Sequence, residues 1–102
     1  MAEWIKLASA DDIPVGSMKA ITHRYYQVVI CHTEDGFYAI ADECSHDFAP
    51  ISGGKLEGKE VVCPRHGAKF DMNGFPTAPP AVAPIDTYEL KVEGNDILVQ
   101  LD

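Results

Sequence analysis

Two short segments that each combine a cysteine with a histidine constrain this chain more than any other feature. The first is Cys44-Ser45-His46, and after sixteen intervening residues comes Cys63-Pro64-Arg65-His66. Glycine and proline surround both segments, which predicts two loops whose side chains can meet at one metal centre. Structural zinc sites usually place paired ligands about two to four residues apart, in a Cys-first, His-last order. The C-x-H and C-x-x-H spacing here instead indicates a mixed site, with one thiolate and one imidazole from each loop.

Residues around these segments extend the pattern. The stretch 51–58 between the loops reads Ile-Ser-Gly-Gly-Lys-Leu-Glu-Gly, Gly67 follows the second segment directly, and Phe70-Asp71 closes its loop. On these motifs, with a match that runs over residues 4–99, the chain resembles Rieske-type [2Fe–2S] ferredoxins. These are the ferredoxins that serve bacterial aromatic-ring oxygenases.

The resemblance implies a ligand set and a fold. One [2Fe–2S] cluster would be held by Cys44, His46, Cys63 and His66, with the imidazoles bound through Nδ1. The implied fold is all-β, with three antiparallel sheets in a single domain over residues 1–102. Within it, two loops form a small cluster-binding subdomain at about residues 42–84.

The ligand types carry a redox consequence. Two ferric ions and two sulfides together carry two positive charges. Two thiolates cancel that charge, and neutral imidazoles add none. Replacing cysteine by histidine in this way raises the potential from about −400 mV to roughly −150 to +300 mV. High-potential relatives in respiratory complexes add a disulfide and two hydroxyl donors, and by resemblance those positions are Ala49, Arg65, Ala68 and Phe70 here. We therefore expect a potential on the order of −150 mV.

The resemblance also implies a function, which is one-electron carriage. A flavoprotein reductase that uses NAD(P)H would reduce the cluster, and a terminal Rieske oxygenase of aromatic hydrocarbon catabolism would accept the electron. Docking would be transient and the carrier a monomer. No nucleophile-and-base set or substrate motif accompanies the four ligands, and the chain is too short to add a mononuclear iron domain. We therefore expect an electron-transfer component, not an enzyme by itself.

Two other functions remain open from the sequence. The small Rieske subunit of an assimilatory nitrite reductase resembles this chain and would be a fixed part of an enzyme. A structural zinc module that mediates protein contacts belongs to a different class, and it would be colourless where a two-iron centre is brown.

Charge and cysteine content limit the partners and the cellular compartment expected for this chain. Eight basic and 16 acidic residues give a net charge of −8, which would repel phosphate backbones and so excludes nucleic acid as an expected partner. No apolar run approaches the ~20 residues of a membrane span, and the amino terminus lacks the order of a secretory signal. With two of three cysteines assigned to iron, Cys31 is expected to be a buried reduced thiol. These features predict a cytoplasmic protein without a membrane partner.

Several loop residues have expected roles of their own. Gly53, Gly54 and Gly67 could permit close backbone approach or a positive φ around a cluster, although each taken alone reads first as an ordinary turn glycine. Asp42, Glu43 and Asp47 flank the first loop, either as a negative docking patch or as a solvated rim.

Alternation and turn signals predict the strands. They lie at 4–8, 17–22, 25–33 and 37–41, within 55–63, at 88–92 and at 97–101, with Asp35-Gly36 at a hairpin tip. Three prolines in 77–84 exclude a central strand there, and we expect that segment to lie extended along the cluster side.

Overall fold

The computed structural model of the chain describes residues 3–43, 50–64, 67–79 and 83–101. Within these ranges the regular secondary structure is strand, apart from two single-turn 3-10 helices, Ala10–Asp12 and Ile51–Gly53. The strands are β1 Glu3–Ser9, β2 Met18–His23, β3 Tyr26–Thr33, β4 Gly36–Ala41, β5 Lys55–Glu57, β6 Glu60–Val62, β7 Lys69–Asp71, β8 Pro76–Ala78, β9 Thr87–Tyr88, β10 Leu90–Glu93 and β11 Asp96–Leu101.

The strands form three antiparallel sheets. Sheet A has the order β1-β11-β10, sheet B the order β2-β3-β4-β9, and sheet C the order β5-β6-β7-β8. The predicted all-β fold of three sheets is therefore confirmed. No helix in the described residues is long or apolar enough to cross a membrane.

Sheet B is the middle layer, because its central strand is buried on both faces. Val28 and Ile30 of β3 point into a core shared with sheet A. Val29 and Cys31 alternate with them and point into a second core, shared with sheet C. All four side chains are fully buried. Successive residues of a strand face opposite sides, so one apolar run supplies both cores.

The hairpin between β3 and β4 is confirmed, with its turn shifted by one residue. Glu34 and Asp35 form the turn, and Gly36 already begins β4 opposite Thr33. The Thr33 hydroxyl accepts a hydrogen bond from Asp35 N at 3.1 Å and donates one to Gly36 O at 3.3 Å. This buried threonine satisfies the backbone of the tip.

The single strand predicted over residues 88–92 is wrong. Thr87 and Tyr88 pair with β4 in sheet B, whereas Leu90–Glu93 pairs with β11 in sheet A. Tyr88 and Leu90 nevertheless pack in the same core, the one between these two sheets. Alternation in the sequence reports which core a side chain enters, but it does not report which sheet the backbone joins.

The proline-rich segment behaves as its missing donors require. Pro76–Ala78 forms β8 at the edge of sheet C, where proline is tolerated because one side of the strand needs no hydrogen bonds. Residues 80–82 lie outside the described ranges, and so does that part of the predicted extended segment.

Candidate metal centre

One of the four predicted ligands, Cys63, lies within the described residues. Its side chain is 2% exposed and follows directly after β6. Cys44, His46 and His66 lie outside the described ranges. The structure therefore describes the segments that lead into and out of their loops.

The base of the second loop is closed by backbone hydrogen bonds. Cys63 N donates to Ala68 O at 2.7 Å, and Gly67 N donates to Cys63 O at 3.2 Å. Gly67 has φ +72°, a left-handed conformation that glycine adopts without a Cβ penalty. The loop that contains His66 in the sequence is therefore anchored at both of its ends, where β6 turns back into β7.

A buried carboxylate anchors the first loop. Asp42 N donates to Gln27 O at 2.9 Å, which keeps the chain on sheet B as far as Asp42. The Asp42 side chain is 7% exposed and accepts two hydrogen bonds from Ser52, from N at 2.7 Å and from Oγ at 2.6 Å. The contact between Asp42 and Ser52 thus connects the segment that leads into the first loop to the segment that follows it.

This arrangement corrects one expectation. Asp42 cannot belong to an exposed docking patch, because its carboxylate is buried and engaged with Ser52. Glu43 is exposed, and Asp47 lies outside the described residues. The Asp42–Ser52 pair was missed because its partners are ten residues apart with a loop between them, and such a pair has no local sequence signal.

The returning segment packs tightly against the second loop. A Cβ on Gly54 would lie 1.8 Å from Val62 O, which no backbone can accept, so glycine permits a close approach here. Gly67 meets the other expectation through its positive φ. Gly53 meets neither, since a Cβ there would lie 3.5 Å from Pro64 Cγ, an ordinary contact.

The surroundings of Cys63 suit an iron–sulfur cluster. Cys63 belongs to the core between sheets B and C, beside buried Ile51, Ala68 and Phe70. A surface cavity of about 430 Å³ adjoins it, lined by Gly53, Gly54, Lys55, Val62, Cys63, Pro64 and Gly67. Thiolate is the donor that iron–sulfur clusters take from proteins, and burial among apolar side chains is one of the features that set their potential. The residues present therefore fit the group that the sequence predicts.

The remaining described cysteine is a packing residue, as expected. Cys31 is fully buried in β3. Burial raises the pKa of its thiol to about 12, and the charge of Asp42 adds to the rise. A thiol with such a pKa stays protonated and so is a poor ligand and nucleophile at neutral pH.

Comparison with known proteins agrees with this geometry. The Rieske [2Fe-2S] domain family matches residues 3–89. The ferredoxin component of biphenyl 2,3-dioxygenase from Rhodococcus jostii (strain RHA1) is 36% identical over 98 residues, which cover 95% of this chain and 92% of that protein. The ferredoxin of carbazole 1,9a-dioxygenase from Nocardioides aromaticivorans IC177 superposes with a TM-score of 0.88 at 33% identity, covering 94% of this chain and 95% of that chain.

A third similarity is to a chain in a complex of reduced oxygenase and oxidized ferredoxin in carbazole 1,9a-dioxygenase. The TM-score is 0.89 at 30% identity, with 94% of this chain and 91% of that chain covered. The family match and the ferredoxin relatives show that the present protein carries one Rieske-type [2Fe–2S] cluster. These relatives are electron-transfer components, so the protein is not itself a catalytic enzyme. The structural zinc alternative is thereby set aside. On sequence, fold and the setting of Cys63, the chain belongs to the Rieske [2Fe-2S] family, among the ferredoxin components of aromatic-ring dioxygenase systems.

Proposed function

We propose that Cys44, His46, Cys63 and His66 hold the cluster, at the tip of a subdomain that spans about residues 42–84 of a single domain. The observation that carries this assignment is Cys63, buried at the base of a closed loop and next to a cavity. The Asp42–Ser52 contact supports it, because it ties the start of the first loop to the segment that packs on Cys63.

Histidine variants test the ligand set. His46→Ala and His66→Ala are expected to lose the brown colour, the iron and acid-labile sulfide, and the rhombic electron paramagnetic resonance signal of the reduced protein. His23→Gln is a matched control, since His23 lies at the end of β2 in sheet B. Full iron content and an unchanged spectrum in either ligand variant would refute the assignment.

The cluster's task is to accept one electron and release it. We propose that a flavoprotein reductase delivers the electron and that a terminal Rieske oxygenase receives it, by transient docking. The complex of oxygenase and ferredoxin in the carbazole system supports the second partner. We place the carrier in the cytoplasm as a monomer. The relatives named above are ferredoxin components, which favours a carrier over a fixed subunit of nitrite reductase.

Reconstitution tests the carrier. The reduced chain is expected to support turnover of the purified oxygenase components of the biphenyl and carbazole systems, and to elute alone as a monomer. If the reduced chain transferred electrons to neither oxygenase, the proposed oxygenase partner would be refuted. Stable co-elution with a nitrite reductase catalytic subunit would instead favour the fixed-subunit alternative.

A further inference from the structure

An exposed tyrosine marks one end of sheet B. Tyr25 is 77% exposed, the highest exposure of a large hydrophobic side chain in the described residues. Tyrosine is enriched at protein interfaces because it offers a large apolar ring with a polar tip.

Tyr25 belongs to a cluster of three tyrosine rings. The Tyr25 and Tyr26 ring centroids lie 4.8 Å apart, and Tyr26 meets Tyr88 edge-to-face at 6.0 Å. The exposed ring therefore rests on a second ring that packs against the core between sheets A and B. Such support holds Tyr25 in place before a partner arrives, which lowers the entropic cost of binding.

The turn that presents Tyr25 is strained. Arg24 has φ +56°, and no other non-glycine residue in the described ranges has a positive φ. The first position of a two-residue hairpin turn with this conformation normally holds glycine. Strain in such a place costs on the order of 1 kcal/mol or more, and it clusters at functional surfaces.

Two acidic residues lie near the tyrosine cluster. Glu43 and Asp86 are both exposed, and Ala41 N donates to Asp86 O at 2.8 Å, which places Asp86 beside the end of β4. Burial raises the pKa of the Tyr88 hydroxyl, and the charges of Asp86, Tyr26 and Glu43 raise it further. Both carboxylates therefore lie within electrostatic range of the same ring.

This end of the sheet is also the end from which the first ligand loop leaves. Gln27, two residues after Tyr25, accepts the backbone hydrogen bond of Asp42. Glu43 then directly precedes Cys44 in the chain. At about 3.3 Å per residue and about 5 Å between strands, the Tyr25 and Glu43 backbones are within roughly 15 Å. A docking footprint of about 800 Å² has a radius of about 16 Å, so one footprint can cover both.

We propose that this surface, the tyrosine end, is part of the docking site for the terminal oxygenase, with Tyr25 seated in an apolar pocket rimmed by basic side chains. The tyrosine end consists of Arg24, Tyr25, Tyr26, Glu43, Asp86 and Tyr88. The inference rests on the proposed function. It adds a partner contact on sheet B, outside the two loops, and it assigns the partner's face a basic and apolar character that complements the acidic rim.

Substitution of Tyr25 tests the inference. With the oxygenase components of the biphenyl and carbazole systems as acceptors, Tyr25→Ala is expected to lower the second-order rate of electron transfer about tenfold, through weaker association. Tyr25→Phe is expected to retain most of that rate, because the ring fills the pocket. The cluster spectrum and the midpoint potential are expected to stay unchanged in both.

Val15 provides the control. It is also strongly exposed, at 62%, but Gly16 beside it bonds to His32, about 20 Å along β3 from Tyr26 at 3.3 Å per residue. Val15→Ala is expected to transfer electrons like the unmodified chain.

Equal rates for Tyr25→Ala and the unmodified chain would overturn the docking inference and leave the proposed function intact. A similar loss in Val15→Ala would overturn it too, because the effect would then not be local. If the unmodified chain reduces neither oxygenase, the proposed partner fails first and this inference falls with it.

Discussion

At the scale of single residues, two described neighbours of Cys63, Ala68 and Phe70, carry no hydroxyl group that could raise the potential. Ala68 and Phe70 are fully buried in the core that contains Cys63, and neither has a polar side-chain atom. A hydroxyl that donates to cluster sulfur stabilises the reduced, more negative state. Their absence supports a potential near the lower end of the Rieske range, which remains a prediction.

Ala68→Ser is expected to raise the midpoint potential by about 40 mV, because a differential stabilisation of about 1 kcal/mol corresponds to that shift for one electron. Ala39→Ser makes the same change in the other core, between sheets A and B, and should leave the potential unchanged. Redox titration followed by visible absorption measures both. A fall in potential for Ala68→Ser would contradict this explanation of the tuning.

Cys31 gives a second prediction at this scale. Since its pKa is raised from 9.0 to about 12, the folded state holds its proton where the unfolded state loses it. The contribution of Cys31 to folding is therefore complete below about pH 9 and is lost as the pH rises towards 12. The stability difference between the unmodified chain and Cys31→Ala should shrink over this range in denaturant titrations. A difference independent of pH would show that the thiol is not protected by burial.

At the scale of elements, two close contacts hold the ligand segments together. The first is the approach of Gly54 to the carbonyl of Val62. Gly54→Ala is expected to destabilise the protein by about 3 kcal/mol or more, because backbone must move to accept the methyl group. Gly53→Ala, with its nearest contact at 3.5 Å, should cost far less. Comparable thermal midpoints for the two variants would contradict the close approach.

The second contact is between Asp42 and Ser52. Asp42→Ala removes the acceptor of the half-buried Ser52 N–H and hydroxyl, which is expected to cost about 1–3 kcal/mol in total because water can partly replace the carboxylate. It should speed loss of the cluster on mild heating, followed by the decay of visible absorption. Asp42→Asn keeps an oxygen opposite Ser52 N and is expected to rescue most of the effect. If Asp42→Ala held its cluster as long as the unmodified chain, the pair would not position the loop.

At the scale of the whole molecule, the net charge of −8 governs encounter with partners. An acidic carrier meets a basic docking face faster than diffusion alone allows, and salt screens this attraction. The rate of electron transfer to the oxygenase should therefore fall steadily as sodium chloride rises from about 0.05 to 0.5 M. Added salt shortens the Debye length, which is the distance over which exposed charges attract each other. The Glu43→Gln/Asp86→Asn double variant should show a weaker dependence. A rate that rises with salt would indicate an apolar or acidic docking face instead.

What the sequence determined by itself was chemistry and class. The spacing of Cys44, His46, Cys63 and His66 predicted a mixed-ligand centre, because the type and order of the donors differ from those usual in structural zinc sites. The β-branched, apolar run of β3 and the alternation in β11 predicted an all-β fold, because strand composition and periodicity are local properties. Burial of Cys31 followed from its apolar strand.

The tertiary structure decided what depends on distant partners. It split residues 87–93 between two sheets, since both halves face one core and only backbone pairing separates them. It buried Asp42 against Ser52 across a loop, where the sequence showed merely an acidic residue near a ligand. It also brought Tyr25, Glu43 and Asp86 to one end of sheet B, because strand pairing gathers residues that lie far apart in the chain.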